Sequence, residues 1–184
     1  DEDSDPFMQK AMKEMTSQTH RMQNLIEDLL VLSRIEASSE RIYENVVNIP
    51  VVLAQVEREA QALNKEKNHT INFHIDKELC IFGVETELRS ACSNLVFNAV
   101  HYTPAGGEIN VYWQRKANGV QFSVVDNGDG IEQNHLNRLT ERFYRVDKAR
   151  SRKTGGSGLG LSIVKHVLSH HNSRLDITST LGEG

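Results

Sequence analysis

Two glycine-bearing runs constrain this chain more than any other feature. Asp126-Asn127-Gly128-Asp129-Gly130 ends a strand-like segment, and Gly155-Gly156-Ser157-Gly158-Leu159-Gly160-Leu161 follows a basic stretch and opens an apolar helix. A carboxylate followed by glycines lets the backbone approach a planar ligand. A glycine-rich turn feeding a helix N-terminus offers free N–H groups and a positive dipole end to phosphate. Together the runs read as two walls of a nucleotide pocket. Each has an ordinary reading on its own: Asn-Gly and Asp-Gly favour tight turns, and a glycine-rich loop can simply precede a helix. Residues 131–140, however, do not alternate as a returning strand would. The second run lacks a Gly-Lys-Ser/Thr ending, so it is no Walker loop, and its spacing does not match the dinucleotide fingerprint.

The chain before these runs begins with a heptad pattern. Met8, Met12, Met15, Thr19, Met22, Ile26, Leu29 and Ser33 recur at alternating steps of four and three, and Leu25, Leu30 and Leu32 widen the seam. A lone helix with such a seam needs a partner, either its own downstream domain or other helices in a bundle. Residues 38–48 read as a polar linker. Asn48-Ile49-Pro50 then supplies a cap and a first-turn proline for a helix to about residue 65. Short strands are expected at 70–75 and 79–82, a long helix at 85–103 stopped by Pro104, a hairpin of 108–114 and 120–126 about Asn118-Gly119, a helix at 158–171 and a last strand at 174–178. The expected fold class is α+β, a two-layer α/β sandwich with one mixed sheet covered by helices on one face.

Composition narrows the function classes. With 184 residues and 38% hydrophobic content the chain can bury one full domain plus an appendage, and its net charge of −4 argues against a nucleic-acid binder. The basic residues are instead local: Arg142, Arg145, Lys148, Arg150, Arg152 and Lys153. Cys80 and Cys92 have no metal-type spacing and read as reduced packing residues, which fits a cytosolic setting. No stretch reaches the length of a membrane span, so no membrane contact is expected of this chain, and its abrupt end at Gly184 suggests an excised fragment.

Within the long helix, Asn94, Asn98, His101 and Tyr102 fall along one polar stripe, opposite Leu88, Leu95 and Ala99. Two amides a turn apart in mid-helix go against propensity. They form either a buried hydrogen-bonding ladder or oxygen ligands for a hard cation such as Mg²⁺, which is commonly held by few protein ligands and phosphate oxygens.

Four motifs now stand in order: Asn94-Leu-Val-Phe-Asn98-Ala-Val-His-Tyr-Thr103, Asp126-Asn-Gly-Asp-Gly130, Glu141-Arg-Phe-Tyr-Arg145 and Gly156-Ser-Gly-Leu-Gly160. They resemble the N box, first glycine box, F box and second glycine box of sensor histidine kinases. The run 140–160 is similar to the phosphate-regulon members of that family. The resemblance spans essentially the whole chain, because residues 21–36 also resemble the second dimerisation helix.

The resemblance implies a Bergerat ATP-binding fold at 49–184, a lid at about 132–157, a linker at 38–48, and at 7–37 one long helix of a dimerisation helical hairpin whose first helix is absent. It implies that Asp126 accepts from the adenine amino group, that Gly130 leaves room for the ring beside Gly128, and that Asn98 coordinates Mg²⁺ with Asn94 beside it. His101 and Tyr102 occupy phosphate-contacting positions. Many members carry lysine where His101 stands, so its contact is expected to be weaker or pH-dependent. The basic segment 142–153 would be a mobile lid over the γ-phosphate, anchored by Phe143. Arg145 and Lys153 would bind nucleotide, and Arg150 and Arg152 would act with Asn98 and His101 on the transferred group. Gly156, Ser157, Gly158, Leu159 and Gly160 would close on the phosphates.

The implied enzyme is an ATP-dependent histidine kinase, the cytoplasmic part of an inner-membrane protein. It would be a homodimer through its dimerisation helices and would pass phosphate to a response regulator of the phosphate-regulon type. None of the eight histidines lies in the family's acceptor motif, so the chain is expected to bind ATP without phosphorylating itself. Two competing readings are an ATPase clamp of the gyrase, chaperone or mismatch-repair kind, and a non-catalytic dimerisation module.

Overall fold

The computed structural model describes residues 6–37, 45–146 and 156–184. Helix α1 (Pro6–Ala37) comes first, followed by β1 (Val46–Val47), α2 (Ile49–Leu63) with a short 3₁₀ turn (Asn64–Glu66), β2 (Thr70–Ile75) and β3 (Ile81–Phe82). Then come α3 (Glu85–Tyr102), β4 (Glu108–Lys116), β5 (Gly119–Asp126), a single turn α4 (Gln133–Leu136) and α5 (Gly160–His170).

The three-stranded sheet has the order β2-β4-β5, with β2 parallel to β4 and β4 antiparallel to β5. Along β4 the alternation is strict: Ile109, Val111 and Trp113 are buried, and opposite them stand Ile71, Phe73 and Ile75 of β2. This apolar face meets α2, α3 and α5 through Val52, Leu53, Val56, Val96, Val100, Ile163, Val164 and Val167. The result is the expected two-layer sandwich, in which a half-buried mixed sheet covers one face of a helical layer.

Local chemistry accounts for the element ends. The Asn48 side chain accepts from the N–H of Val51 at 3.3 Å and so caps α2, with Pro50 in the first turn. Pro104 cannot continue α3, and Thr103 turns out of the helix at ψ 133°. β4 and β5 pair as far as Lys116 and Gly119, which leaves Ala117-Asn118 as a two-residue loop; Gly119 itself takes φ +136°.

Four expectations differ from the structure. Residues 79–82 contribute only Ile81–Phe82 to a strand, and that strand pairs antiparallel with Val46–Val47, inside the segment read as linker. The rest of that linker, 38–44, lies outside the described residues. Residues 174–178 alternate in sequence but join no ladder; Arg174 Nε instead donates to Asp176 Oδ2 at 3.1 Å across the segment itself. Cys80 is exposed, whereas Cys92 is buried as expected and its thiol is pushed up to about 12 by that burial.

The two sides of α1 behave differently. Leu32 and Ile35 are buried and pack with α5, while Met8, Met12, Met15, Met22, Ile26 and Leu29 stay exposed. The heptad seam is therefore not covered by the downstream domain. Among the described residues, no helix is long and apolar enough to cross a membrane.

Candidate functional site

Helix α3 is the element on which the two halves of the site meet. At its C-terminal end Thr103 is fully buried, and its Oγ1 has no hydrogen-bond partner among the described residues. Beside it runs the Asp126–Gly130 turn. The N–H of Gly128 donates to Asp126 Oδ1 at 3.0 Å, and a Cβ on Gly128 would stand 2.7 Å from that oxygen and 3.8 Å from Thr103 Oγ1. A side chain at 128 would therefore fill the space between the carboxylate and the hydroxyl. Asn127 Oδ1 accepts the N–H of Glu108 at 2.7 Å and fixes the turn to the start of β4.

Gly130, at φ +68°, has a different neighbour from the one expected. A Cβ there would meet the Thr180 carbonyl oxygen at 2.1 Å. The close approach that demands glycine is made by backbone 180–181, and so the room beside it is filled by the chain itself.

The second wall is the glycine turn before α5. A Cβ on Gly160 would lie 2.5 Å from Asn94 Oδ1, and Asn94 Nδ2 donates back to Ser90 O at 2.9 Å. The Asn94 amide is thus oriented, with its oxygen at the first residue of α5. Further along α3, the Tyr102 hydroxyl lies 3.5 Å from the Cβ position of Gly156, and Arg145 Nη2 lies 3.9 Å from it. Asn98, half-buried, sits one turn from Asn94 on the same stripe. Gly158, at φ +76°, accepts from the N–H of Phe143 at 2.9 Å, and Phe143 itself takes φ +63°. A non-glycine residue in that region is held by its surroundings. Phe143 as a residue is 58% exposed, and its tie to the turn is made by its backbone N–H.

Leu159 is fully buried in the core and gives its N–H to Ser157 Oγ at 3.1 Å. Its side chain is a packing group beneath the turn. Arg150, Arg152 and Lys153 lie outside the described residues, as does part of the expected lid.

The electrostatics at the end of α3 are set by Lys67, a residue that motif reading passes over. Its ammonium donates to the carbonyls of Val100 at 3.0 Å and Thr103 at 3.2 Å, and to that of His101. It thereby caps the negative end of the helix dipole. Burial first, and the Lys67 charge second, hold the His101 imidazole below its ordinary value. At neutral pH His101 therefore offers a neutral ring. No local sequence signal connects Lys67 to residues 100–103, since the contact closes more than thirty residues of chain; Thr103 was legible only as the last letter of the asparagine motif.

A second cluster sits at the opposite end of the α3–α5 pair. His170 Nδ1 and Glu87 Oε2 are 2.9 Å apart. His171 bonds Val167 O through Nδ1 at 2.8 Å and accepts from Val84 N–H through Nε2 at 3.1 Å. Both ring nitrogens of His171 are occupied, so the trio ties α3 to α5 and is not arranged as a metal centre.

Comparison with known proteins identifies the family. The profile of the family described as "Histidine kinase-, DNA gyrase B-, and HSP90-like ATPase" matches residues 83–184. The chain is 48% identical over 183 residues to the phosphate regulon sensor protein PhoR of Pseudomonas aeruginosa, covering 100% of this chain and 41% of that protein. It is 41% identical over 179 residues to PhoR of Haemophilus influenzae (97% and 42%), and 31% identical over 182 residues to the sensor-like histidine kinase SenX3 of Mycolicibacterium smegmatis (99% and 47%). The chain thus spans less than half the length of each of these relatives. Among solved structures, full-length ShkA in complex with AMPPNP superposes with a TM-score of 0.75 at 27% identity, over 95% of this chain and 35% of that one. The catalytic domain of histidine kinase ThkA, at 21% identity and a TM-score of 0.60 over 68% of this chain and 79% of that one, shares the fold.

Proposed function

Because the chain belongs to the family of histidine kinase-, DNA gyrase B- and HSP90-like ATPases, we propose that it is the ATP-binding catalytic part of a two-component sensor histidine kinase acting in phosphate-starvation signalling. The observation that carries this reading is the convergence of both glycine runs on one helix: Asp126 and Gly128 beside Thr103, and Gly156 and Gly160 beside Tyr102 and Asn94.

The residues suit an adenine nucleotide. The Thr103 hydroxyl, buried and without a hydrogen-bond partner among the described residues, adds a polar group to the wall where Asp126 stands. Asp126 uses Oδ1 to hold its own turn, and its other oxygen can accept from an exocyclic amine. Residues 156–160 would receive phosphate oxygens at the N-terminus of α5. Tyr102 and Arg145, both directed at Gly156, would orient them, with His101 as a neutral donor. Asn98 would hold Mg²⁺, whose chemistry is neutralisation of the phosphate oxygens. Arg150 and Arg152 are proposed to act on the transferred group and Lys153 to bind nucleotide.

In the transfer, the bond between the γ-phosphorus and its bridging oxygen breaks, a phosphorus–nitrogen bond forms on a histidine, and ADP leaves. The phosphoryl group then passes to an aspartate of a response regulator of the phosphate-regulon type. Such a step asks the protein mainly for positioning and charge stabilisation. None of the eight histidines of this sequence lies in the acceptor motif of that family, which supports a chain that binds ATP without labelling itself. Helix α1 would be the second helix of the dimerisation hairpin; its exposed Met8–Leu29 seam supports pairing with further helices in a homodimeric, membrane-anchored kinase. Identity with two phosphate-regulon sensors supports the signal, and the AMPPNP bound to ShkA supports the ligand. Calorimetric titration with a non-hydrolysable ATP analogue, with and without Mg²⁺, tests the proposal: micromolar binding strengthened by the metal is expected, and no heat in either condition would refute it.

A further inference from the structure

Ser157, inside the glycine turn, donates its hydroxyl to Asp28 Oδ2 of α1 at 2.7 Å, while its own Oγ accepts the N–H of Leu159 at 3.1 Å. The turn proposed to receive phosphate is therefore tied to α1 by one of its own side chains. About two helical turns further along α1, Glu36 pairs with Arg142 of the F-box segment, and His166 Nε2 of α5 stands 3.6 Å from the same Glu36 oxygen. Between these two points Leu32 and Ile35 are 2% and 6% exposed, so this half of α1 is packed onto the domain.

The charges have a consequence for the ligand. Asp28 sets a carboxylate at a turn whose N–H groups and helix N-terminus would otherwise attract a polyanion. Resting on the nucleotide reading above, we propose that α1 and a bound triphosphate compete for the glycine turn: Asp28 with Ser157, and Glu36 with Arg142, form a two-point latch that holds the catalytic domain against α1 in the absence of nucleotide. Phosphate oxygens arriving at the turn meet the Asp28 charge, and they attract Arg142 away from Glu36. Burial holds the Asp28 carboxyl above the usual carboxylate range against the lowering effect of the Ser157 bond, with Glu27 adding like charge. The docked carboxylate is thus poorly solvated and gains hydration on release. Linkage then requires reciprocity: nucleotide weakens the docking of α1, and loosening α1 strengthens nucleotide binding by the same factor.

The test uses this chain with Asp28→Asn, Glu36→Gln and the double substitution, titrated calorimetrically with AMPPNP and Mg²⁺. Amide exchange across 25–36 is followed in the unsubstituted protein with and without the analogue, a measurement that needs no variant. Asp28→Asn is expected to tighten AMPPNP by about fivefold, the double variant further, and the analogue is expected to speed exchange in 25–36. Equal affinities with unchanged exchange overturn the latch while leaving the nucleotide site standing. Weaker binding by Asp28→Asn also overturns it, because Asp28 would then be holding the turn in its binding form. Failure of every protein to bind AMPPNP overturns the nucleotide reading, and the latch falls with it.

Discussion

Asn94 Oδ1 occupies the position that a side chain on Gly160 would need: a Cβ there would come within 2.5 Å of it. Helix α5 can begin where it does only because residue 160 has no side chain, and the Asn94 oxygen is delivered to the helix N-terminus as a result. Helix propensity alone favours alanine at 160 by about 1 kcal/mol, whereas forcing a methyl into an occupied space costs about 1–3 kcal/mol. Gly160→Ala is therefore expected to lower the urea midpoint and to weaken ATP-analogue binding by roughly tenfold. Adding Asn94→Ser to it should restore stability but not affinity, and a Gly160→Ala protein with unchanged binding would contradict the assignment.

Asp126→Asn separates the fold from the ligand. The asparagine oxygen can still accept the Gly128 N–H that Asp126 Oδ1 accepts at 3.0 Å, so thermal stability should change little. A hydrogen bond to a charged acceptor contributes about 1.5–3 kcal/mol, and its loss is expected to weaken nucleotide binding by roughly tenfold to a hundredfold in calorimetry.

His101 is held below its ordinary value of 6.5 by burial and by Lys67. The unfolded chain then binds the proton first as pH falls. The contribution of this residue is present above 6.5 and is lost as pH drops through the folded value. Urea midpoints measured at pH 7.5 and at successively lower pH should fall less for His101→Gln than for the unsubstituted chain. Lys67→Met should raise the imidazole value in an NMR titration while destabilising the end of α3 by about 1–3 kcal/mol through its unsatisfied carbonyls. His101→Lys should tighten nucleotide binding at neutral pH by adding a permanent charge.

The two cysteines should differ sharply in alkylation. Cys80 is exposed, while Cys92 is buried with its thiol pushed up to about 12. One equivalent of label on the native chain, located at Cys80 by mass spectrometry, and a second only in denaturant is the expected outcome; early labelling of Cys92 would mean that the α3 core opens.

Incubation of this chain with γ-labelled ATP should leave no acid-labile phosphate on it, even though the analogue binds. Appearance of phosphohistidine would show that one of the eight histidines serves as acceptor after all.

Local signals were legible wherever a short stretch determines its own geometry. The Asn48 cap, the Pro104 stop and the Asn118-Gly119 turn each place an element end within a residue or two. Four ordered motifs made the family readable in the same way. What escaped depends on distant partners. Val46–Val47 is a strand only because Ile81–Phe82 lies beside it, and 174–178 has the alternation of a strand but no ladder to join. Lys67 reaches the end of α3 from a loop, and Asp28 reaches Ser157 across most of the chain. Gly130 was read as making room for a ring, yet its absent side chain makes room for the Thr180 carbonyl. A glycine reports that something comes close, and only the fold says what.

Helices α3 and α5 are tied at one end by Glu87 and His170, and midway along α3 the Asn94 oxygen fits into the space left by the absent side chain of Gly160, where α5 begins. Such a pair cannot slide lengthwise without breaking that ion pair or losing that fit. Above the pair, Gly158 in the turn 156–159 occupies a left-handed conformation that a side chain would strain. The two helices serve as the floor of the site, and the bond from the Phe143 N–H to the Gly158 carbonyl joins the turn above them to the F-box segment.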